Sequence, residues 1–268
     1  FRPRHFSPHP ALQMALTDPT CGLNMGQTAE VLAKEFAISR QRQDEFALQS
    51  HLRAAASRTI FKEETMTCFT GSQYQNAVSQ DNGVREKQSI EDLAKLKPIF
   101  ERRTGTVTAG NSSQITDGAC ALLLMSSANA RASGAEILGT IAGYEYAGVD
   151  PSRMGLGPVF AIEKLLRKKG ISLKEIQLFE INEAFASQVL ACTEALSSKT
   201  FAQKHFSKQE AVGTIDPSLL NVHGGAIALG HPVGASGSRL VLTCLKEMKR
   251  RRLNRGLVSL CVGGGQGG

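Results

Sequence analysis

The sequence has no apolar run long enough to cross a membrane as a helix. Its longest purely apolar stretch, Ala119 to Met125, falls far short of the roughly 18 residues that a spanning helix needs. A CxxC pair is missing too. The six cysteines (Cys21, Cys68, Cys120, Cys192, Cys244, Cys261) are scattered, which argues against a zinc site and against a disulfide framework. A reduced compartment, bacterial cytoplasm or mitochondrial matrix, is therefore expected. The chain opens on Phe1, and its start lacks the charged, apolar, small order of a secretory signal, so export is not expected. No Arg-Gly-aromatic or zinc-finger pattern accompanies the net charge of +7, which disfavours nucleic acid and leaves a phosphate-bearing small molecule as the simpler partner. No repeat of fixed short period is visible. What remains is ordinary globular material: 268 residues, 41% hydrophobic and 21% charged, enough for one large core or two modest ones.

Helical periodicity predicts helices over Thr28 to Phe36 and over Arg40 to Ala56, the second with Ser39 as its N-cap. From Ser57 to Arg103 the period is weak and Asp81-Asn82-Gly83 reads as a turn, so an irregular loop region is expected. Beyond Gly105 the character changes. Thr106 to Thr108 and Ala119 to Met125 read as buried strands, followed by Ile137 to Ala147 (strand), Gly157 to Lys169 (helix), Leu178 to Ile181 (strand), Asn182 to Leu196 (helix), Leu240 to Arg252 (helix) and Leu257 to Cys261 (strand). Such alternation predicts an α/β fold with a layered sheet. The Lys-rich, Phe-containing stretch Ser197 to Ser218 reads as a surface insertion.

Three segments at strand ends carry chemistry. In Glu180-Ile181-Asn182-Glu183-Ala184-Phe185 a strand runs straight into a helix. An amide there can hold a water or a carbonyl oxygen without titrating, although Asn182 also suits a plain helix cap. In Asn221 to Gly237 the glycines let the backbone approach a ligand, and Pro232 stiffens the turn that carries His231 at a helix entrance. His223 lacks those supports and reads as structural. In Cys261-Val262-Gly263-Gly264-Gly265-Gln266-Gly267-Gly268 a thiol precedes a run of exposed backbone N–H groups, a pattern suited to proton exchange beside an oxyanion pocket; a lone strand cysteine is otherwise a small buried hydrophobe.

Together the N-E-A-F, N-x-x-G-G-x-x-x-x-G-H-P-x-G-x-[ST]-G and C-x-G-G-G-x-G segments resemble the thiolase family, with Gly105 to Ser113 and Met25 to Glu30 as further matches. The resemblance implies a thiolase-like layered αβαβα fold, incomplete: a loop domain over 1–104, the last strands of the N-terminal domain over 105–135, and most of the C-terminal domain over 136–268. It implies an acyl-CoA C-acetyltransferase that cleaves 3-ketoacyl-CoA by thiolysis or runs the reverse Claisen condensation. Carried over residue by residue, Asn182 and His231 would hold the water that stabilises the thioester oxygen, and His231 would help activate the nucleophile. Cys261 would exchange the α-proton, the Gly263 N–H would serve a second oxyanion hole, Ser113 would touch the pantetheine arm, and Met154 and Phe185 would line the acyl pocket. No metal or cofactor is implied beyond the coenzyme A thioesters themselves.

The family's nucleophile is a cysteine in a C-x-S-G-like turn upstream of the region matched by Met25 to Glu30. Cys21 and Cys68 lie in other contexts, so the expectation is a fragment that is inactive without a further region. The position matched to Asn24 is often histidine in short-chain biosynthetic thiolases. The 81–98 segment and the 197–218 insertion look like the β-subunit of the fatty-acid trifunctional complex, whose usual H-E-A-F contrasts with Asn182 here. A degradative 3-ketoacyl-CoA thiolase is thus preferred, with an acetoacetyl-CoA thiolase or a non-catalytic thiolase-like module as alternatives. Ketoacyl synthases, which pair the cysteine with two histidines, fit less well. Acyl-CoA, acetyl-CoA and CoA are the expected partners, with a homodimer or homotetramer and a β-oxidation complex in view. The mix of basic and apolar residues over Phe1 to Thr20 suggests weak docking to a membrane or a partner.

Overall fold

The structure is a computed structural model that describes residues 11–268. The start of the expected docking segment, residues 1–10, lies outside the described residues. In chain order the helices are α1 (Ala11–Ala15), α2 (Met25–Glu35), α3 (Arg40–Ala56), α4 (Arg58–Phe61), α5 (Ile90–Ala94), α6 (Ser127–Ala132), α7 (Gly157–Lys169), α8 (Ala186–Ser197), α9 (Lys199–Phe206), α10 (Ala226–Leu229) and α11 (Val233–Arg251). The strands are β1 (Cys68–Thr70), β2 (Asn76–Val78), β3 (Ala147–Gly148), β4 (Leu178–Ile181), β5 (Gly256–Ser259), β6 (Cys261–Val262) and β7 (Gln266–Gly267). Among the described residues, no helix is long and apolar enough to cross a membrane.

Local signals set most helix ends. Asn24 and Gln27 form a reciprocal capping box at the start of α2, each side chain accepting from the other's backbone N–H at 2.9 Å. Ser39 caps α3 as expected. The α7 helix has Pro158 in its first turn and ends on Gly170 in the left-handed conformation (φ 65°).

The frame of the site is a parallel pair, β4 and β5, in register from Leu178 opposite Gly256 to Ile181 opposite Ser259. Helix α11 lies against this pair, and α7 and α8 supply further cover. Every residue of β4 is buried. Helix α8 is buried on most sides because α2, α3, α7 and α9 enclose it, and it lies in the core with Val189, Cys192 and Leu196. The short strands β3, β7 and β6 form a second, antiparallel sheet beside it, and residues 263–265 make the β6–β7 turn.

Several expected elements are not formed. Residues 106–108 are buried at Val107 and Thr108 but are not a strand. Their backbone is satisfied by side chains: the Glu30 carboxylate accepts from the N–H groups of Thr106 and Val107, and Asn111 accepts from Thr108 N at 2.8 Å. Residues 119–125 are neither strand nor buried, with Leu123 83% and Leu124 69% exposed, and of the 137–147 stretch only Ala147 pairs. A strand needs a neighbour, and no described residue pairs with residues 119–125 or 137–146. The expected surface insertion contains α9, whose Phe201 and Phe206 stack edge-on against Phe160 of α7 and so join the core.

Candidate active site

The N-E-A-F segment does not start a helix at Asn182. Its backbone is held extended by long-range bonds: Asn182 N donates to Ser259 O at 3.0 Å, Ser113 N to Ala184 O at 2.9 Å, and Ala186 N to Asn111 O at 2.9 Å. The helix therefore begins at Ala186, and Asn182 caps nothing. Freed from capping, its fully buried side chain points its Nδ2 at His231 Nε2, 3.3 Å away, while its Oδ1 accepts no hydrogen bond from any described residue.

His231 is fixed on three sides. Its backbone N–H donates to Gln114 O at 3.2 Å, its Nδ1 lies 2.6 Å from Ser236 Oγ, and its Nε2 meets Asn182. Burial, helped by the positive charge of Arg239, holds the imidazole below the ordinary histidine pKa. His223 stands apart. Its Nδ1 is 2.7 Å from Ser57 Oγ and its Nε2 is 2.8 Å from Glu247, so it ties the loop region to α11.

Cys261, Met154 and Phe185 share one buried apolar cluster with Ala29, Val107 and Ala184, edged by Met25 and Phe100. Phe100 meets Phe185 edge-on with ring centroids 5.8 Å apart. Burial pushes the Cys261 thiol up to about 12, so at neutral pH it carries its proton. Gly263 lies beside Met25, whose sulfur would be 3.6 Å from a side-chain carbon added there. The glycine run does not trail free from Cys261. It folds back so that Cys261 pairs with Gly267, and Leu260 and Gly268 exchange backbone bonds of 2.9 and 3.1 Å. Gly264 and Gly265 take positive φ (85° and 78°) in that turn, a conformation that glycine adopts without strain.

Asn182 to Phe185 thus joins two groupings. Asn182 touches His231 at one end, and Phe185 packs with Cys261 and Met154 at the other. Ser113 is half-buried and bonded to the middle of this segment through Ala184.

With this geometry in place, similarity to known proteins decides the family. Residues 7–128 match the model of the thiolase N-terminal domain, and residues 135–268 match that of the thiolase C-terminal domain. The chain belongs to the thiolase family. It is 40% identical over 256 residues to the 3-ketoacyl-CoA thiolase of Pectobacterium atrosepticum, covering 94% of this chain and 58% of that protein. It is 42% identical over 272 residues to the peroxisomal 3-ketoacyl-CoA thiolase 2 of Arabidopsis thaliana, covering 97% and 55%. The crystal structure of the Bacillus anthracis acetyl-CoA acetyltransferase superposes with a TM-score of 0.84 at 38% identity, over 98% of this chain and 64% of that one. The fold is accordingly a thiolase-like α/β fold, present in part, and the chain spans somewhat over half the length of the curated relatives it matches.

Four residues to which sequence reasoning assigned no role shape the site: three hold the thiolase loops together and one packs beside Cys261. Glu183, buried, accepts from Ser50 Oγ (2.6 Å), Asn221 Nδ2 (2.9 Å) and Ile227 N (3.3 Å). Burial raises its pKa, and the bonds from Ser50 and Asn221 oppose the rise. Asn221 pairs its side-chain amide with both the N–H and the C=O of Ile181 at 2.9 Å, in the manner of a strand neighbour. Gln114 donates to the carbonyls of Gly83 and Ile227, both at 3.1 Å. Met25 belongs to a segment already conspicuous in the sequence, but its place in the Cys261 cluster depends on the tertiary fold.

Proposed function

We propose that this chain carries the α-carbon half of a thiolase site, an acyl-CoA C-acetyltransferase acting on 3-ketoacyl-CoA by thiolysis or in the reverse Claisen condensation. The observation that carries the reading is the 3.3 Å contact between Asn182 and His231, which brings two loops of different sequence origin to one point. A water held there by the Asn182 amide donates to the thioester oxygen of the second substrate. The unpartnered Asn182 Oδ1 supports such a water, because it is a buried acceptor in need of a donor. Cys261, held as a thiol, gives its proton to the α-carbon of the departing acetyl-CoA in thiolysis and takes it back in condensation. The Gly263 N–H supports the enolate oxygen. Positioned proton transfer is worth about 10²–10⁴-fold and each oxyanion donor about 10²–10³-fold. Ser113 contacts the pantetheine arm, and Met154 and Phe185, with Met25 beside them, form the acyl wall.

Under this reading residues 1–104 form the loop domain, 105–135 the end of the N-terminal domain and 136–268 the C-terminal domain. The nucleophilic thiolate comes from outside these 268 residues. Coenzyme A and its thioesters are the small molecules that this reaction uses, the free thiol taking the acyl group from the enzyme in thiolysis. The protein works as a homodimer or homotetramer, with a β-oxidation partner in reach, in the cytoplasm or the mitochondrial matrix. The names of the relatives favour 3-ketoacyl-CoA over acetoacetyl-CoA, and thiolysis rates across 3-ketoacyl chain lengths separate the two.

The test uses the protein that carries this chain. Cys261→Ala is expected still to form the acyl-enzyme, seen as a mass shift with an acyl-CoA, while losing about 10²-fold or more in deuterium wash-in at the acetyl-CoA methyl group. Exchange at the wild-type rate in Cys261→Ala would overturn the assignment.

A further inference from the structure

Ser236 sits in the first turn of α11, 1% exposed, with its Oγ 2.6 Å from His231 Nδ1 and 3.2 Å from the carbonyl oxygen of Pro232. A serine hydroxyl has one hydrogen to give, and a carbonyl oxygen can only accept. The Oγ–H donates to Pro232 O, which also accepts from the N–H groups of Ala235 (2.8 Å) and Ser236 (3.0 Å), and with the hydrogen so placed Oγ accepts from an N–H at Nδ1. A neutral imidazole with its proton on Nδ1 has a bare lone pair on Nε2. With the Asn182 amide turned as it is, its Nδ2 donates to that lone pair at 3.3 Å, so both side-chain contacts of the ring fit this tautomer.

We infer that Ser236 is a positioning residue that fixes His231 in the Nδ1–H tautomer and so presents the Nε2 lone pair to the site. The catalytic meaning of this role rests on the thiolase reading above. In acylation the lone pair takes the proton of the nucleophilic thiol: the S–H bond breaks, an Nε2–H bond forms, and thiolate and imidazolium are left as a pair. For that the Asn182 amide, which donates to this lone pair in the resting site, has to give it up, while Ser236 keeps accepting from Nδ1 throughout. In the opposite tautomer Nε2 already holds a proton and can accept nothing. Burial, helped by the positive charge of Arg239, lowers the pKa of the ring and so favours its neutral form, the state in which the choice of tautomer matters.

The experiment reads the tautomer directly. The protein that carries this chain is labelled with ¹⁵N-histidine, and long-range ¹H–¹⁵N correlation spectra are recorded above pH 7.5 without substrate. His231 is identified by its loss in His231→Gln. In the wild type its Nδ1 should resonate as a protonated nitrogen and its Nε2 as an unprotonated one. Ser236→Ala should move the tautomer ratio roughly five- to tenfold toward Nε2–H, the effect of losing one hydrogen bond of ordinary strength. Ser236→Thr, which keeps the hydroxyl, should restore the wild-type pattern. A protonated Nε2 in the wild type, or a Ser236→Ala spectrum with an unchanged His231, would overturn the inference. Should Ser236→Ala fail to fold, the wild-type spectrum decides alone. No turnover is involved, so a wrong tautomer leaves the acyl-transfer reading standing, and a failed exchange assay leaves the tautomer standing.

Discussion

Glu183 gives the sharpest test of how the two loops are held. Its carboxylate receives Asn221 on Oε1 and both Ser50 and Ile227 on Oε2, and all of these atoms are buried. In Glu183→Gln the carbonyl oxygen can keep the Ser50 and Ile227 bonds, but the new NH₂ then faces the NH₂ of Asn221, donor against donor. Asn221 retains its bond to Ile181 O, so the loss is one hydrogen bond plus a repulsion, about 1–3 kcal/mol. In Glu183→Ala, Ile227 N loses the carboxylate that accepts from it, the Ser50 hydroxyl must find another acceptor, and a cavity opens; about 3–5 kcal/mol is expected. With a total stability of about 5–15 kcal/mol, the alanine variant should lie near the edge of folding and the glutamine variant well inside it. Urea unfolding followed by far-ultraviolet circular dichroism measures both. A cycle combining Glu183→Gln with Ser50→Ala should show a coupling of about 0.5–3 kcal/mol, because the two side chains touch. A Glu183→Gln protein within about 0.5 kcal/mol of the wild type would refute the argument that these convergent bonds brace the site.

Gly157→Ala should destabilise the chain by about 1–2 kcal/mol, because its Cβ would stand 2.3 Å from the carbonyl oxygen of Gln266 and overpacking outweighs the better helix propensity of alanine; an increased urea midpoint would contradict this. Burial raises Glu180 to about 8, so its contribution to stability is present below the ordinary glutamate range and lost as pH rises through about 8. Glu180→Gln, which cannot ionise, should therefore gain on the wild type between pH 5 and pH 9, and a gap in urea midpoint that stays flat or narrows would refute the sign.

Elements set by near neighbours were legible in the sequence. The α3 and α7 helices fall where Ser39, Pro158 and Gly170 place them, because a cap, a first-turn proline and a left-handed glycine act within one turn of the chain. Helix α9 was hidden because its Phe201 and Phe206 read as exposed in a lysine-rich stretch, whereas Phe160, some forty residues upstream, takes them into the core. The stretch at 119–125 is a continuous apolar run and no strand, since a run mostly of Ala, Leu and Met carries no strand preference of its own and cannot supply a neighbour. Likewise the start of α8 is set by Asn111, Ser113 and Ser259, none of them near Asn182 in sequence.

The same distinction separates the side chains of the site from their supports. His231 and Cys261 could be picked out because glycines and a proline surround them, and Asn182 because an amide stands at the end of an apolar strand, whereas Glu183, Gln114 and Ser236 could not, since each acts by what it touches across the fold. The 113–114 segment shows why those contacts matter. Ser113 bonds the N-E-A-F loop through Ala184, and the next residue, Gln114, accepts from the backbone of His231 while its side chain holds Ile227. Two consecutive peptide units thereby connect to both loops, and Glu183 joins the same two loops a second time through Asn221 and Ile227. With two independent connections, a displacement of either loop is resisted by directional bonds on both routes. A 3.3 Å contact between Asn182 and His231 can then be kept by loops that would otherwise be flexible, because its separation depends on a closed ring of hydrogen bonds and not on either loop's own stiffness.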